Sequence, residues 1–323
     1  MDIASRFQKP DGWQWAQVTP REDQSLRFGW VAPKGVRALC VIFPGLSEYC
    51  EKYFETAHDL MDRGFAVAVI DWRGQGLSWR HLPDHDKRHH DDFSLDVEDA
   101  RAYLAALSEI PALAILPRIV LGHSMGGHIA LRIMHDVRDA FKCAALTAPM
   151  FNINLPVLMQ GPARMTAEAA CKMGWSEHYV FGYGPWSLAR FTANLNLLTS
   201  DKTRREIQIR HQVENPSLRM GGLTFNWVRT ALASNRFTQD PAWLSQVTTP
   251  LFVAMPSREM IVSNAATRFG VNHMPNVELV EITGSLHEVL MEKEEFRARF
   301  WQGFDAFTAK YLGFREQPQP AFT

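Results

Sequence analysis

The chain has 323 residues, with 34 Lys and Arg against 35 Asp and Glu, giving a formal net charge of −1. That balance excludes a basic nucleic-acid binder or a polybasic membrane-surface protein. A content of 46% hydrophobic and 21% charged residues excludes a largely disordered chain, and the length allows one large core plus a smaller unit.

In chain order, Gln14 to Thr19 and Leu26 to Val31 predict an antiparallel edge hairpin. Buried strands are predicted at Ala38 to Phe43, Ala66 to Ile70, Arg118 to Leu121, Cys143 to Leu146, Leu251 to Met255 and Val277 to Ile282. Between them, helical periodicity marks Glu51 to Arg63, Ser94 to Glu109, Met125 to Val137, Ser263 to His273 and Met291 to about Tyr311. Such alternation predicts an α/β fold, a mostly parallel sheet with helices on both faces.

The rhythm stops at Pro149 and resumes near Pro250. The expected organisation is therefore a core of residues 1–148 and 250–323 with an inserted cap, 149–249, over the carboxyl ends of the strands. The cap is rich in aromatics such as Trp175, Trp186 and Phe191, suited to lining an apolar, water-excluding pocket. The last residues, EQPQPAFT, read as a frayed tail.

The opening MDIASRFQKP has no apolar signal segment, and no run approaches the roughly 18 apolar residues of a membrane span. Cys40, Cys50, Cys143 and Cys171 lack CxxC spacing and read as reduced thiols, so the expected location is the cytoplasm. The stretch HLPDHDKRHHDD, residues 81–92, does not have a closed zinc spacing and reads as a solvated polar loop, so no metal is expected.

The chemistry concentrates in GHSMG, a G-x-S-x-G motif placed after a strand and before a helix. There a sharp turn lifts the Ser124 hydroxyl above the sheet, and the Met125 N–H, at the positive end of the helix dipole, faces a developing oxyanion. A serine hydroxyl needs a histidine to accept its proton. His287, in the GSLHE loop after the final strand, stands where the order Ser, acid, His requires it.

Taken together, FPGLSEYCEKY, IDWRGQGLSWR, FSLDVEDARAYL, GHSMGGHIAL and GSLHEVLME resemble α/β-hydrolases of the monoacylglycerol lipase and bacterial lysophospholipase group, also called serine aminopeptidase-like hydrolases. The likeness spans about residues 25 to 310, and the stretch NLLTSDKTRREIQIRHQVENPSLRMGGLTFNWV is similar to the cap of its bacterial lysophospholipase-type members. It implies that the Leu46 N–H is the second oxyanion donor, although Pro44-Gly45 stands where the family carries His-Gly. It also implies that Glu259 replaces the usual acidic aspartate, with Glu281 and Glu288 as alternatives.

The expected activity is a serine esterase working through an acyl-enzyme on a lipid-like ester such as a lysophospholipid or monoacylglycerol. Alternatives are a small-ester, lactone or N-terminal peptide hydrolase, or a binding module on the same fold. The expected partner is a small-molecule ester bearing an acyl chain, with no cofactor and no nucleic acid. Peripheral contact with the inner face of a membrane is compatible with this reading.

Overall fold

Hexamers of Val, Ile, Leu, Ala, Cys and Phe form the middle of the sheet because parallel strands covered on both faces need apolar side chains in both directions. The computed structural model describes residues 3–313, so the expected frayed tail lies outside the described residues. Its strands are β1 (Gln14–Arg21), β2 (Gln24–Val31), β3 (Ala38–Phe43), β4 (Phe65–Ile70), β5 (Arg118–His123), β6 (Cys143–Thr147), β7 (Leu251–Pro256) and β8 (Val277–Ile282). They form one eight-stranded sheet in the order β1-β2-β4-β3-β5-β6-β7-β8. Pairing is antiparallel for β1 with β2 and β2 with β4, and parallel elsewhere, as expected for an edge hairpin joined to an α/β sheet.

Strand period 2 divides the core into two layers. Leu39, Val41 and Phe43 face one layer with Tyr103 of helix Ser94–Ser108 and Ile129 of helix Met125–Asp136. Ala38, Cys40 and Ile42 face the other with Leu60 of helix Phe54–Asp62 and Phe304 of helix Glu294–Leu312. Two predicted helices differ at their starts. A 3₁₀ turn, Cys50–Tyr53, precedes the regular helix at Phe54, and a second, Val289–Met291, precedes the last helix at Glu294. Such tight turns are common at helix entries.

The chain leaves β3 toward β4 on one side and later returns to β5 on the other. The carboxyl ends of β3 and β5 therefore flank the crevice where α/β sheets bind ligands. Between β6 and β7 the chain forms helices Val157–Lys172, Leu188–Leu198, Lys202–Glu214 and Phe225–Ser234, with a small core around Ala167, Ala170 and Phe225. This segment grips the rest through Arg204, buried and bonded to Glu55 at 2.6 and 2.8 Å and to the Glu292 carbonyl at 2.9 Å. Among the described residues, no helix is long and apolar enough to cross a membrane.

Candidate active site

Ser124 joins β5 to the helix Met125–Asp136 with φ 50° and ψ −116°, a backbone conformation that costs a non-glycine residue about 1–3 kcal/mol. Neighbouring chain holds the turn in place: the Ser124 N–H donates to the Thr147 carbonyl at 3.0 Å, and the Ser124 carbonyl accepts from Met150 N–H at 3.0 Å. Gly126 must lack a side chain, because a Cβ there would sit 2.0 Å from the Phe43 carbonyl oxygen. Close packing of β3 against the helix start thus brings the chain after β3 beside Ser124.

His287 and Glu259, from the loops after β8 and β7, meet at the same edge. The His287 Nδ1 lies 2.7 Å from Glu259 Oε2, while Glu259 Oε1 accepts from the Ile261 and Val262 N–H groups at 2.6 and 3.1 Å. The two alternatives are engaged elsewhere: Glu281 pairs with Arg268, and Glu288 with Lys52 at 2.7 Å and Gln208 at 3.0 Å. Burial alone would push the His287 pKa down, but the charge and hydrogen bond of Glu259, helped by Glu288 and Glu48, raise it above its ordinary value. Burial would raise the Glu259 carboxyl, yet His287 and the two N–H donors hold it below the usual range. The pair is thus set to favour an imidazolium.

The His287 ring lies 4.8 Å, centroid to centroid, from that of His123, the residue before Ser124. His123 is pushed down to about 4 by burial, against the pull of Glu48, and stays neutral beside its neighbour. Among the described residues no hydrogen bond joins Ser124 to His287 in this resting arrangement; catalytic bonds of this kind tighten when substrate binds.

The chain after β3 is held without the histidine that Pro44 replaces. Trp72 Nε1 donates to the Pro44 carbonyl at 3.0 Å, Gln75 Nε2 to the Gly45 carbonyl at 2.8 Å, and the Ser47 N–H to Gln75 Oε1 at 3.1 Å. The Gly45 N–H donates to Glu48, which also accepts from Tyr53 at 2.6 Å and pairs with Lys52 at 2.6 Å. Among the described residues, the Leu46 and Met125 N–H groups have no acceptor, so both are free to receive one. Burial opposes ionisation of Glu48, but Lys52 and His123 prevail and hold it down to about 2.

Sequence reading did not single out Glu48, Lys52, Gln75 or Glu288 as a set. Lys52 joins Glu48, beside the Leu46 loop, to Glu288, beside His287, with both ends more than nine-tenths buried. The only local signal is the i, i+4 spacing of Glu48 and Lys52; their partner Glu288 is 236 residues from Lys52. The DWRGQG segment supplies Trp72 and Gln75, which hold the loop after β3.

The loop of residues 81–92 is only partly the solvated loop its composition predicts: Asp84, His85, Asp91 and Asp92 are exposed, but its second half packs against the rest of the chain. His89 and His90 are buried, and Arg88 pairs with the β6–β7 segment by an N–H bond to the Gly222 carbonyl at 3.0 Å and a bond from Thr224 N–H at 3.0 Å. Polar composition misleads there because several of the polar groups find partners on packing: His90 with Asp96 at 2.6 Å, His81 with Asp91 at 3.0 Å. The three aromatics singled out in the 149–249 segment differ in setting. Trp175 is exposed and Phe191 half-buried, while Trp186 is fixed by a bond to Gln212 at 2.8 Å and by Arg219 at 4.3 Å over its ring.

Comparison with known proteins finds chains similar to this one. Residues 34–294 match the family described as serine aminopeptidase, S33. The chain is 31% identical over 292 residues to lysophospholipase L2 of Escherichia coli K12, covering 88% of this chain and 84% of that one. It is 30% identical over 274 residues to probable lysophospholipase L2 of Haemophilus influenzae, covering 84% of each. Among solved structures, a soluble variant of monoglyceride lipase from Saccharomyces cerevisiae, in complex with a substrate analogue, superposes with a TM-score of 0.72 at 17% identity, covering 94% and 95% of the two chains.

Proposed function

Since this chain belongs to the serine aminopeptidase S33 family of α/β-hydrolases, we propose that it hydrolyses carboxylic esters of lipid-like substrates, a lysophospholipid or a monoacylglycerol, through an acyl-enzyme. The observation that carries this reading is the His287–Glu259 bond of 2.7 Å beside the strained turn at Ser124. In the proposed mechanism Ser124 Oγ attacks the ester carbonyl while His287 Nε2 accepts its proton, with Glu259 fixing the tautomer and stabilising the imidazolium. The Leu46 and Met125 N–H groups receive the oxyanion. Collapse of the tetrahedral intermediate expels the alcohol, which takes the proton from His287, and water then releases the acid by the same steps in reverse roles.

The segment of residues 149–249 acts in this reading as a cap over the acyl chain. Its supporting observation is contact with the catalytic loops themselves: the Glu288 N–H, next to His287, donates to the Leu198 carbonyl at 2.8 Å. Labelling with a fluorophosphonate probe, followed by a panel of lysophospholipid, acylglycerol, p-nitrophenyl ester and aminoacyl-nitroanilide substrates, tests the reading. It fails if Ser124 does not label, or if the nitroanilides are the preferred substrates.

A further inference from the structure

Beside the two proposed oxyanion amides the structure forms a cavity lined by Leu46, Met125, Arg73, Arg88, His89 and His90 among others, with no carboxylate in its wall. Every basic group in that wall except one is matched by an acid behind it. Arg73 makes two bonds of 2.6 Å to Asp99, His90 one of 2.6 Å to Asp96, and His89 one of 3.3 Å to Asp91. Arg88 is the exception. Among the described residues its side chain has no hydrogen bond and no ion pair, and its Nε is fully buried without an acceptor.

Leaving a half-buried guanidinium unpaired, with its Nε shut away from water, carries a desolvation cost, and the charge has no local structural role to offset it. Burial pushes the Arg88 pKa down to about 10, relieved only by the nearby Tyr183 phenol, so the group remains cationic at neutral pH. Its position is nonetheless well defined, since the backbone of Arg88 is clamped on both sides by Gly222 and Thr224. A Cβ on Gly222 would lie 2.5 Å from that of Tyr183, so glycine is needed for this close approach. A fixed, unpaired guanidinium with five donors fits the oxygens of a phosphate, which it can hold in bidentate fashion.

We infer that Arg88 receives the phosphate of a head group on the alcohol side of the ester, making phosphate-bearing lysolipids the substrates this cavity is built for. The inference rests on the ester-hydrolase reading above. Acyl transfer to Ser124 places the carbonyl at Leu46 and Met125, and Arg88 lines the same cavity as those two residues, so a phosphate on the alcohol side of the ester is directed toward it. An ammonium in the same place would meet like charge, which separates this cavity from one built for a peptide N-terminus.

The test compares wild type, Arg88→Gln and Arg88→Lys on 1-acyl-glycerol 3-phosphocholine and on the monoacylglycerol with the same acyl chain, reading released fatty acid. Arg88→Gln is expected to lower the ratio of the two kcat/KM values at least tenfold, with Arg88→Lys intermediate; an unchanged ratio overturns the inference. In parallel, glycerol 3-phosphate is expected to slow fluorophosphonate labelling of Ser124 in wild type, and to require at least tenfold higher concentration in Arg88→Gln. No protection, or equal protection in both proteins, also overturns it. Inorganic phosphate protecting as well as glycerol 3-phosphate would mark a free-anion site and overturn the head-group assignment. A wild type that labels at Ser124 but cleaves neither lipid would defeat the lipid-ester reading alone, and the protection measurement would then decide the role of Arg88. Because the Arg88 side chain makes no bonds and its unpaired charge carries a desolvation cost, the variants are expected to melt at or above the wild-type temperature.

Discussion

Strands β3, β4, β6 and β7 bury every side chain, whereas the segment between β6 and β7 leaves Leu158, Met165 and Phe181 exposed at 88%, 66% and 75%. Both regions are rich in apolar residues, so hydrophobicity alone does not explain the difference. In the sheet, helices cover both faces and apolar side chains are consumed by packing, which makes that region a rigid platform for Ser124, Glu259 and His287. In the 149–249 segment the helices have too few partners to cover their own apolar residues. What remains uncovered is available to something outside the chain, and an acyl chain is the occupant the proposed function supplies. The platform should therefore govern whether any ester is cleaved, and the segment should govern which.

The largest effect expected is at the platform. Ser124→Ala should lower kcat by about 10⁶ for acetyl and long-chain esters alike while the thermal melt is preserved, because the hydroxyl supplies chemistry and little packing. Long-chain hydrolysis within tenfold of wild type in esterase-free protein would move the nucleophile elsewhere and dissolve the comparison.

Glu259→Gln should cost at least about 10² in kcat, the comparable change in a serine protease costing about 10⁴, and again independently of chain length. Glu281→Gln should be near wild type, since its partner Arg268 lies on the exposed surface. Crippling by Glu281→Gln with a healthy Glu259→Gln would reassign the acid.

Stability should separate the regions next. Leu121→Ala, at a position with no exposure in β5, is expected to destabilise by about 2–5 kcal/mol. Met165→Ala, 66% exposed, should change stability by no more than about 0.5 kcal/mol but lower long-chain turnover relative to acetyl-ester turnover. Denaturant melts and a p-nitrophenyl ester chain-length series measure both; equal loss on short and long chains at Met165 and Phe181 would remove the acyl-binding role.

The smallest effect is in pH dependence. His287 must be neutral to accept a proton, and its pKa is raised above the ordinary 6.5, so kcat/KM should fall on the acid side through a midpoint above 6.5. Glu259→Gln removes the charge that stabilises the imidazolium, lowers that pKa and should shift the acid limb to lower pH. A limb that stays in place would show that Glu259 does not set the His287 proton affinity.

Features governed by short-range geometry were legible in the amino-acid order. The alternation of apolar hexamers with helical periods predicts six of the eight strands, because a strand's two covered faces and a helix's single covered face leave different periods; β8, expected to be buried, is instead the edge of the sheet and only Ile282 of it is buried. The elbow at Ser124 is legible for the same reason: the glycines at 122 and 126 and the strand-helix junction are consecutive along the chain. What only the tertiary structure decided involves groups far apart in sequence. That Glu259, and neither Glu281 nor Glu288, bonds His287 depends on how the loops after β7 and β8 meet. The Glu48–Lys52–Glu288 bridge closes over 236 residues. The loop of residues 81–92 looks solvated in sequence because composition records how polar a residue is and not what will be packed on top of it. Once the 149–249 segment lies on that loop, His89 and His90 are paired and buried, while the Arg88 Nε is buried without an acceptor.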